Sequence, residues 1–95
     1  MVELTSRFER YEGIVTQEVS GSLVLFNMNN GRYFALDDVG ARVWQLGVGA
    51  KSVSEVIAIL ARDYDVPLAT IRQDVLELFR DLVDECLVVQ AGAAV

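Results

Sequence analysis

The sequence predicts an α+β domain in which three antiparallel strands precede three helices. Between residues 14 and 36, short β-branched and aromatic runs are separated by Gly-containing turns, the pattern of a meander. From Asp37 onward the apolar spacing changes from every second residue to every third or fourth, the period of helices packed on one face. The chain has 95 residues, 53% of them hydrophobic, with one Pro, which suits one compact domain and excludes a long disordered chain.

The first twelve residues carry Glu3, Arg7, Glu9, Arg10 and Glu12 among few apolar residues and read as a lead-in of low regularity. Ile14 to Val19 alternates as a strand, and Ser20-Gly21 makes a short turn. Ser22 to Met28 is a second strand, apolar enough to be covered on both faces. Asn29-Asn30-Gly31 predicts a tight type I′ hairpin turn, because Asn and Gly tolerate positive φ. Arg32 to Leu36 is the third strand.

Asp37 or Asp38 then caps a short helix presenting Val39, Val43, Trp44 and Leu46, with Gly47 to Gly49 ending it. Ser52-Val-Ser-Glu55 fits a capping box and opens a second helix, striped by Val53, Val56, Ile57, Leu60 and Tyr64. Asp65-Val66-Pro67 breaks it, and a third helix runs from near Pro67–Thr70 to about Glu85. Cys86 to Val89 is a short strand or extended tail, and Ala91 to Val95 should fray. These elements make a single domain over residues 1–95, with its ordered core at about 13–90 and an order that reads as winged helix-turn-helix-like.

Composition narrows the chemistry. With no His and one Cys, the chain lacks the usual zinc spacings, a disulfide framework and the Ser-His or Cys-His pairs of nucleophilic catalysis. Fourteen acids against eight bases give a net charge of −6, which disfavours nucleic-acid backbones and anionic membranes as partners. The longest apolar run, Val56 to Ala61, is too short to span a membrane, and the N-terminus lacks export features. The expectation is a small cytoplasmic domain that binds a partner, is not an enzyme and needs no cofactor or metal.

Two features suggest where binding occurs. On a helical wheel at about 100° per residue, Ile71, Val75, Leu78 and Leu82 form one narrow core stripe. Arg72, Leu76, Phe79 and Val83 form a second shoulder at about 80–140° from Ile71, which either packs against the domain or lines a groove. The third strand, Arg32-Tyr33-Phe34-Ala35-Leu36, lies at the edge of a meander without Lys or Pro to blunt it. Unless residues 86–89 cover that edge, it is a template for strand addition by a peptide. Asp37-Asp38 reads as a cap rather than a metal or acid–base pair, and Cys86 and Trp44 read as core. The acids of the third helix read as a solvated face, with Asp74 beside the core stripe and able to reach a bound cation.

Gly31-Arg-Tyr-Phe-Ala-Leu36, Gly40-Ala-Arg-Val-Trp44, Asp65-Val66, Asp74-Val75 and Leu82 together resemble the pattern of the PqqD-like family. The resemblance covers about residues 13–90, and the strand-to-Trp segment is its most specific part. It implies a precursor-peptide recognition element of ribosomal peptide biosynthesis, with a winged helix-turn-helix fold. It also implies that the leader of a precursor peptide is bound as an added strand between the third strand and the third helix. The contact set is then Arg32, Tyr33, Phe34, Ala35, Leu36, Arg72, Asp74, Val75, Leu76, Phe79 and Val83. One departure stands out: Glu85-Cys86 occupies the place where many relatives have Gly before the final Leu-(Ile/Val).

Within the family the chain looks most like free-standing proteins of lasso-peptide clusters, which resemble a chaperone handing the precursor to a separate leader peptidase or other modifying enzyme. The alternative inside the family is the pyrroloquinoline quinone pathway, where the partner is a radical enzyme. Outside it stands a nucleic-acid-binding winged helix, whose recognition helix would be basic. Residues 69–86 hold Arg72 and Arg80 against Asp74, Glu77, Asp81, Asp84 and Glu85, which argues against that alternative.

Overall fold

Four strands up to Leu36, then three helices and a last short strand are what the chain forms, and a computed structural model describes residues 2–49 and 51–91. The elements are β1 (Phe8–Arg10), β2 (Ile14–Val19), β3 (Ser22–Asn27), β4 (Arg32–Leu36), α1 (Asp38–Gly47), α2 (Val53–Asp63), α3 (Leu68–Asp84) and β5 (Val88–Gln90). The expected meander is a three-stranded antiparallel sheet in the order β2-β3-β4. Leu25 stands opposite Thr16 on one side and Phe34 on the other. Because side chains alternate along a strand, Leu23, Leu25, Asn27, Phe34 and Leu36 share the face turned to the helices. Val24, Phe26, Tyr33 and Ala35 share the other.

The first hairpin turns where expected, at Ser20-Gly21, and the second does not form the expected turn. Ser20 and Gly21 take φ of 50° and 85°, and Val19 pairs with Ser22, so the doubly positive two-residue turn sits there. In the second hairpin Asn27 pairs with Arg32, which leaves a four-residue loop in which Gly31 alone takes positive φ, 73°. The type I′ turn predicted at Asn29–Gly31 is therefore not formed. Asn27 explains the longer loop. Its carbonyl accepts from the N–H of Asn30 (3.4 Å) and of Gly31 (2.8 Å), and its Oδ1 accepts from Asn29 N–H at 2.9 Å. The Asn29 side chain in turn donates to the Glu12 carbonyl at 2.7 Å, tying the β3–β4 loop to the segment before β2.

The irregular N-terminal lead-in is not what the structure contains. β1 pairs antiparallel with β5, Phe8 opposite Gln90 and Arg10 opposite Val88. Val2 and Phe8 are buried in the core, so ordered packing begins well before residue 13. A pairing across eighty residues leaves no local mark in the sequence, and three residues are too few to show a period. Its consequence bears on function: the C-terminal segment is engaged by β1 and does not cover β4. The fraying expected at the end of the chain falls, from residue 92 on, outside the described residues.

Helix starts follow the sequence closely. Asp37 rather than Asp38 caps α1, its Oδ1 accepting from Gly40 N–H at 2.7 Å. Ser52 and Glu55 form the full capping box of α2. An ion pair between Arg42 and Asp63 links α1 to α2. Gly47, expected to stop α1, belongs to it. A Cβ there would lie 2.7 Å from Cζ of Phe79, so the missing side chain lets α1 and α3 pack closely. At the far end of α3, Cys86 takes φ of 59°. Its N–H donates to the Val83 carbonyl at 3.0 Å, and Leu87 N–H donates to the Leu82 carbonyl at 2.9 Å. This is a Schellman turn, with the apolar Leu82–Leu87 pair that accompanies it. Cys86 is thus an exposed turn residue, not a core one.

Candidate functional site

The edge of β4 is open. Among the described residues its only strand partner is β3. A two-residue hairpin closes on a hydrogen-bonded pair, so the ladder alternates from Val19–Ser22 along β3. Ser22, Val24 and Phe26 then bond to β2, and Leu23 and Leu25 bond to β4 through Leu36 and Phe34. The N–H and C=O groups of Tyr33 and Ala35 are left pointing outward, away from the sheet.

Beside that edge lies a cleft of about 590 Å³. One wall is β4, through Phe34, Ala35 and Leu36. The other is α3, through Asp74, Val75 and Leu78, and the end is formed by Asp37 with Val39, Gly40 and Val43 of α1. Leu36, Val43 and Val75 are buried and give the floor its apolar character, while Phe34 and Leu78 are half-buried at its sides. Glycine at position 40 keeps the floor low: a Cβ there would come within 3.2 Å of Leu36 Cβ and of Asp37 Oδ1. β4 and α3 run in opposite directions along the cleft. Leu36 faces Asp74 and Val75 at one end, and Arg32 Nη1 reaches Glu85 Oε1 at 4.0 Å at the other.

The sequence-derived contact set divides here. Phe34, Ala35, Leu36, Asp74 and Val75 line the cleft together. Arg32 lies at its end, and Tyr33, 71% exposed, turns its ring to the outer face, where it sits 4.7 Å from Phe26. The shoulder of α3 expected to line the groove does not do so. Phe79 is fully buried and stacked on Phe8, and Val83 borders a different hollow, formed with Phe8, Val88 and Val89. Leu76 packs against the core without lining the cleft, and Arg72 is exposed away from it.

In their place stands Leu78, which the wheel puts in the core stripe. The wheel identifies the apolar arc but not which flank of the helix meets the sheet edge. That depends on how α1 and α2 carry α3 across the sheet. Taking Ile71 as zero, Leu78 lies at about 340° and Asp74 at about 300°, on the flank opposite Phe79. Val39, Gly40 and Val43 were also missed as cleft residues, since helix spacing alone marks them only as core or turn.

Fold and cleft define a class: a small α+β domain presenting one unpaired strand edge beside one helix across an apolar-floored groove. Among its described residues no group of three His, Cys, Asp or Glu side chains gathers as a metal site. The chain belongs to the PqqD family, since the family model described as coenzyme PQQ synthesis protein D matches residues 22–88. The PqqA binding protein of Rhodopseudomonas palustris strain BisB5 is 38% identical over 60 residues, 63% of this chain and 59% of that protein. The PqqA binding protein of strain HaA2 is 37% identical over the same length. The match thus spans about three fifths of these curated relatives.

Two solved structures share the fold. TbiB1 in complex with the TbiA(beta) leader peptide superposes with a TM-score of 0.78 at 28% identity, over 92% of this chain and 99% of that one. Lasso peptide synthetase B1 complexed with its leader peptide gives a TM-score of 0.81, over 87% of this chain and 98% of that one. At 22% identity the second likeness speaks for the fold alone.

Proposed function

We propose that this protein binds the leader segment of a ribosomal precursor peptide and delivers the precursor to a separate modifying enzyme, a leader peptidase of lasso-peptide biosynthesis. The leader adds as an antiparallel strand to β4, taking the outward N–H and C=O groups of Tyr33 and Ala35. Alternate side chains drop into the cleft between β4 and α3. The observation that carries this reading is the open β4 edge directly beside an apolar-floored cleft. The solved structure at 28% identity, TbiB1 in complex with a leader peptide, supports it. The protein acts by binding and performs no bond-making step, and its arrangement is of the winged-helix kind put to peptide recognition. An acidic α3 makes a poor nucleic-acid recognition helix.

The likeness to PqqA binding proteins favours a second reading, in which the precursor is of the pyrroloquinoline quinone type. One titration separates both from the alternatives. Fluorescent peptides covering the leader and core halves of a lasso-type precursor and of a PqqA-type precursor are titrated with the protein. Tight binding by one leader half and none by its core half is the expected outcome. Equal affinity for the two halves of a precursor rules out leader recognition, and a shift of duplex DNA in a low-salt gel would favour the nucleic-acid reading.

A further inference from the structure

α3 is divided by charge around its circumference. With Ile71 as zero, Asp74, Glu77, Asp81, Asp84 and Glu85 fall in an arc from about 220° to 320°, while Arg72 and Arg80 fall at about 100° and 180°. Of this arc Asp74 lines the cleft, beside Val75 and Leu78, and Asp81 stands two turns further along the same flank. The end wall adds Asp37, with the exposed Asp38 following it in the chain. Arg32 is the cation on β4, and it is turned to Glu85.

We infer that the groove selects a basic leader, one in which Lys or Arg stands among the inward-facing residues, beside the apolar ones that enter the cleft. This rests on the strand-addition reading above and adds the chemistry of the ligand to it. In a strand laid along β4, side chains point alternately toward and away from the helices. The inward ones meet Phe34, Leu36, Val75 and Leu78. An inward residue near the Leu36 end meets Asp37 and Asp74, which both line the cleft, and one further toward Arg32 lies on the side of Asp81, two turns along the same flank of α3. Long Lys and Arg stems suit these positions, since their methylenes lie on the apolar wall and their heads reach the carboxylates. The same charges would steer encounter by attracting a basic segment and repelling an acidic one.

A display selection tests this without knowledge of the natural precursor. A random library of 15-residue peptides is selected against the wild-type domain and against Asp74→Lys/Asp81→Lys, whose substituted side chains are both exposed and whose folding is checked by circular dichroism. Amide exchange of Tyr33 and Ala35 then shows whether each enriched peptide sits on β4. Wild type should enrich β4-protecting peptides rich in Lys and Arg, and the double variant should bind them roughly threefold to tenfold more weakly, as for two exposed ion pairs. That loss should shrink as salt is raised. Enriched peptides that protect β4 but lack Lys and Arg at inward positions would overturn the charge selection and leave strand addition standing. Enriched peptides that leave β4 unprotected, or no enrichment at all, would count against both.

Discussion

The rings of Phe8 and Phe79 stack with centroids 5.0 Å apart and 16° between their planes, and this contact fixes which side of α3 is core. It joins β1 to α3, and on its other side Phe79 lies against the backbone of Gly47. Leu78, the next residue round the helix, is thereby turned to the cleft beside β4.

Substitutions at these neighbouring positions should separate stability from binding. Phe79→Ala removes a fully buried ring and should destabilise the fold by about 3–5 kcal/mol, while the remaining folded protein keeps its affinity for leader. Leu78→Ala should cost less stability and weaken leader binding by about 1–2 kcal/mol, the scale of a groove contact at an interface. Denaturant unfolding and peptide titration of both variants check this. The reverse assignment of the two effects would mean that the cleft is not the binding groove.

Cys86 holds a left-handed backbone conformation that suits glycine better than any residue with a Cβ. Cys86→Gly should therefore stabilise the domain, by up to about 1 kcal/mol, since the relief of the αL cost exceeds the added freedom of the unfolded chain. Urea unfolding provides the measurement. A loss of stability would show that the thiol makes a contact worth more than the turn strain.

Glu55 carries the pH dependence of the α2 cap. The Ser52 backbone N–H, and after it the Ser52 side chain, hold its carboxyl below the ordinary value of 4.5, with Arg7 and Lys51 adding attraction. A carboxylate with a lowered folded pKa contributes its stability above the unfolded pKa and loses it as pH falls through the folded one. The stability gap between wild type and Glu55→Ala should thus be constant above about pH 5 and narrow as the pH falls below 4.5. Thermal melts across that range check it, and a gap that stays constant down to pH 3 would contradict it.

How much of this was legible in the sequence depended on whether the signal was local. The Asp37 cap, the Ser52–Glu55 box and the α3 span rest on neighbouring residues and were readable. So was the unblunted character of Arg32–Leu36. The β1–β5 pair was not, because its partners are far apart in the chain and three residues long. Asn-Gly predicted the tighter turn at the wrong hairpin, since the buried Asn27 draws two backbone N–H groups to its carbonyl and opens the loop by two residues. The cleft was half legible: the strand wall and Asp74–Val75 were foreseen. The shoulder of Arg72, Leu76, Phe79 and Val83 lies off the cleft, because a wheel shows an apolar arc without saying what each flank meets.

Proline scanning distinguishes backbone from side-chain recognition on β4. Tyr33→Pro removes an outward N–H and should leave a folded domain that binds leader poorly. Phe34→Pro removes a bond to β3 and should impair folding itself. If both variants fold and bind alike, no ladder forms on this edge.

A leader added as a strand to β4 must change the amide exchange of Tyr33 and Ala35. In the free protein both amides should exchange quickly, as unpaired edge groups do, while those of Phe34 and Leu36 are protected by β3. On saturation with leader peptide the Tyr33 and Ala35 amides should slow to the protected range, with no comparable change on β2. Fast exchange that persists at both positions in the saturated complex would contradict strand addition at β4.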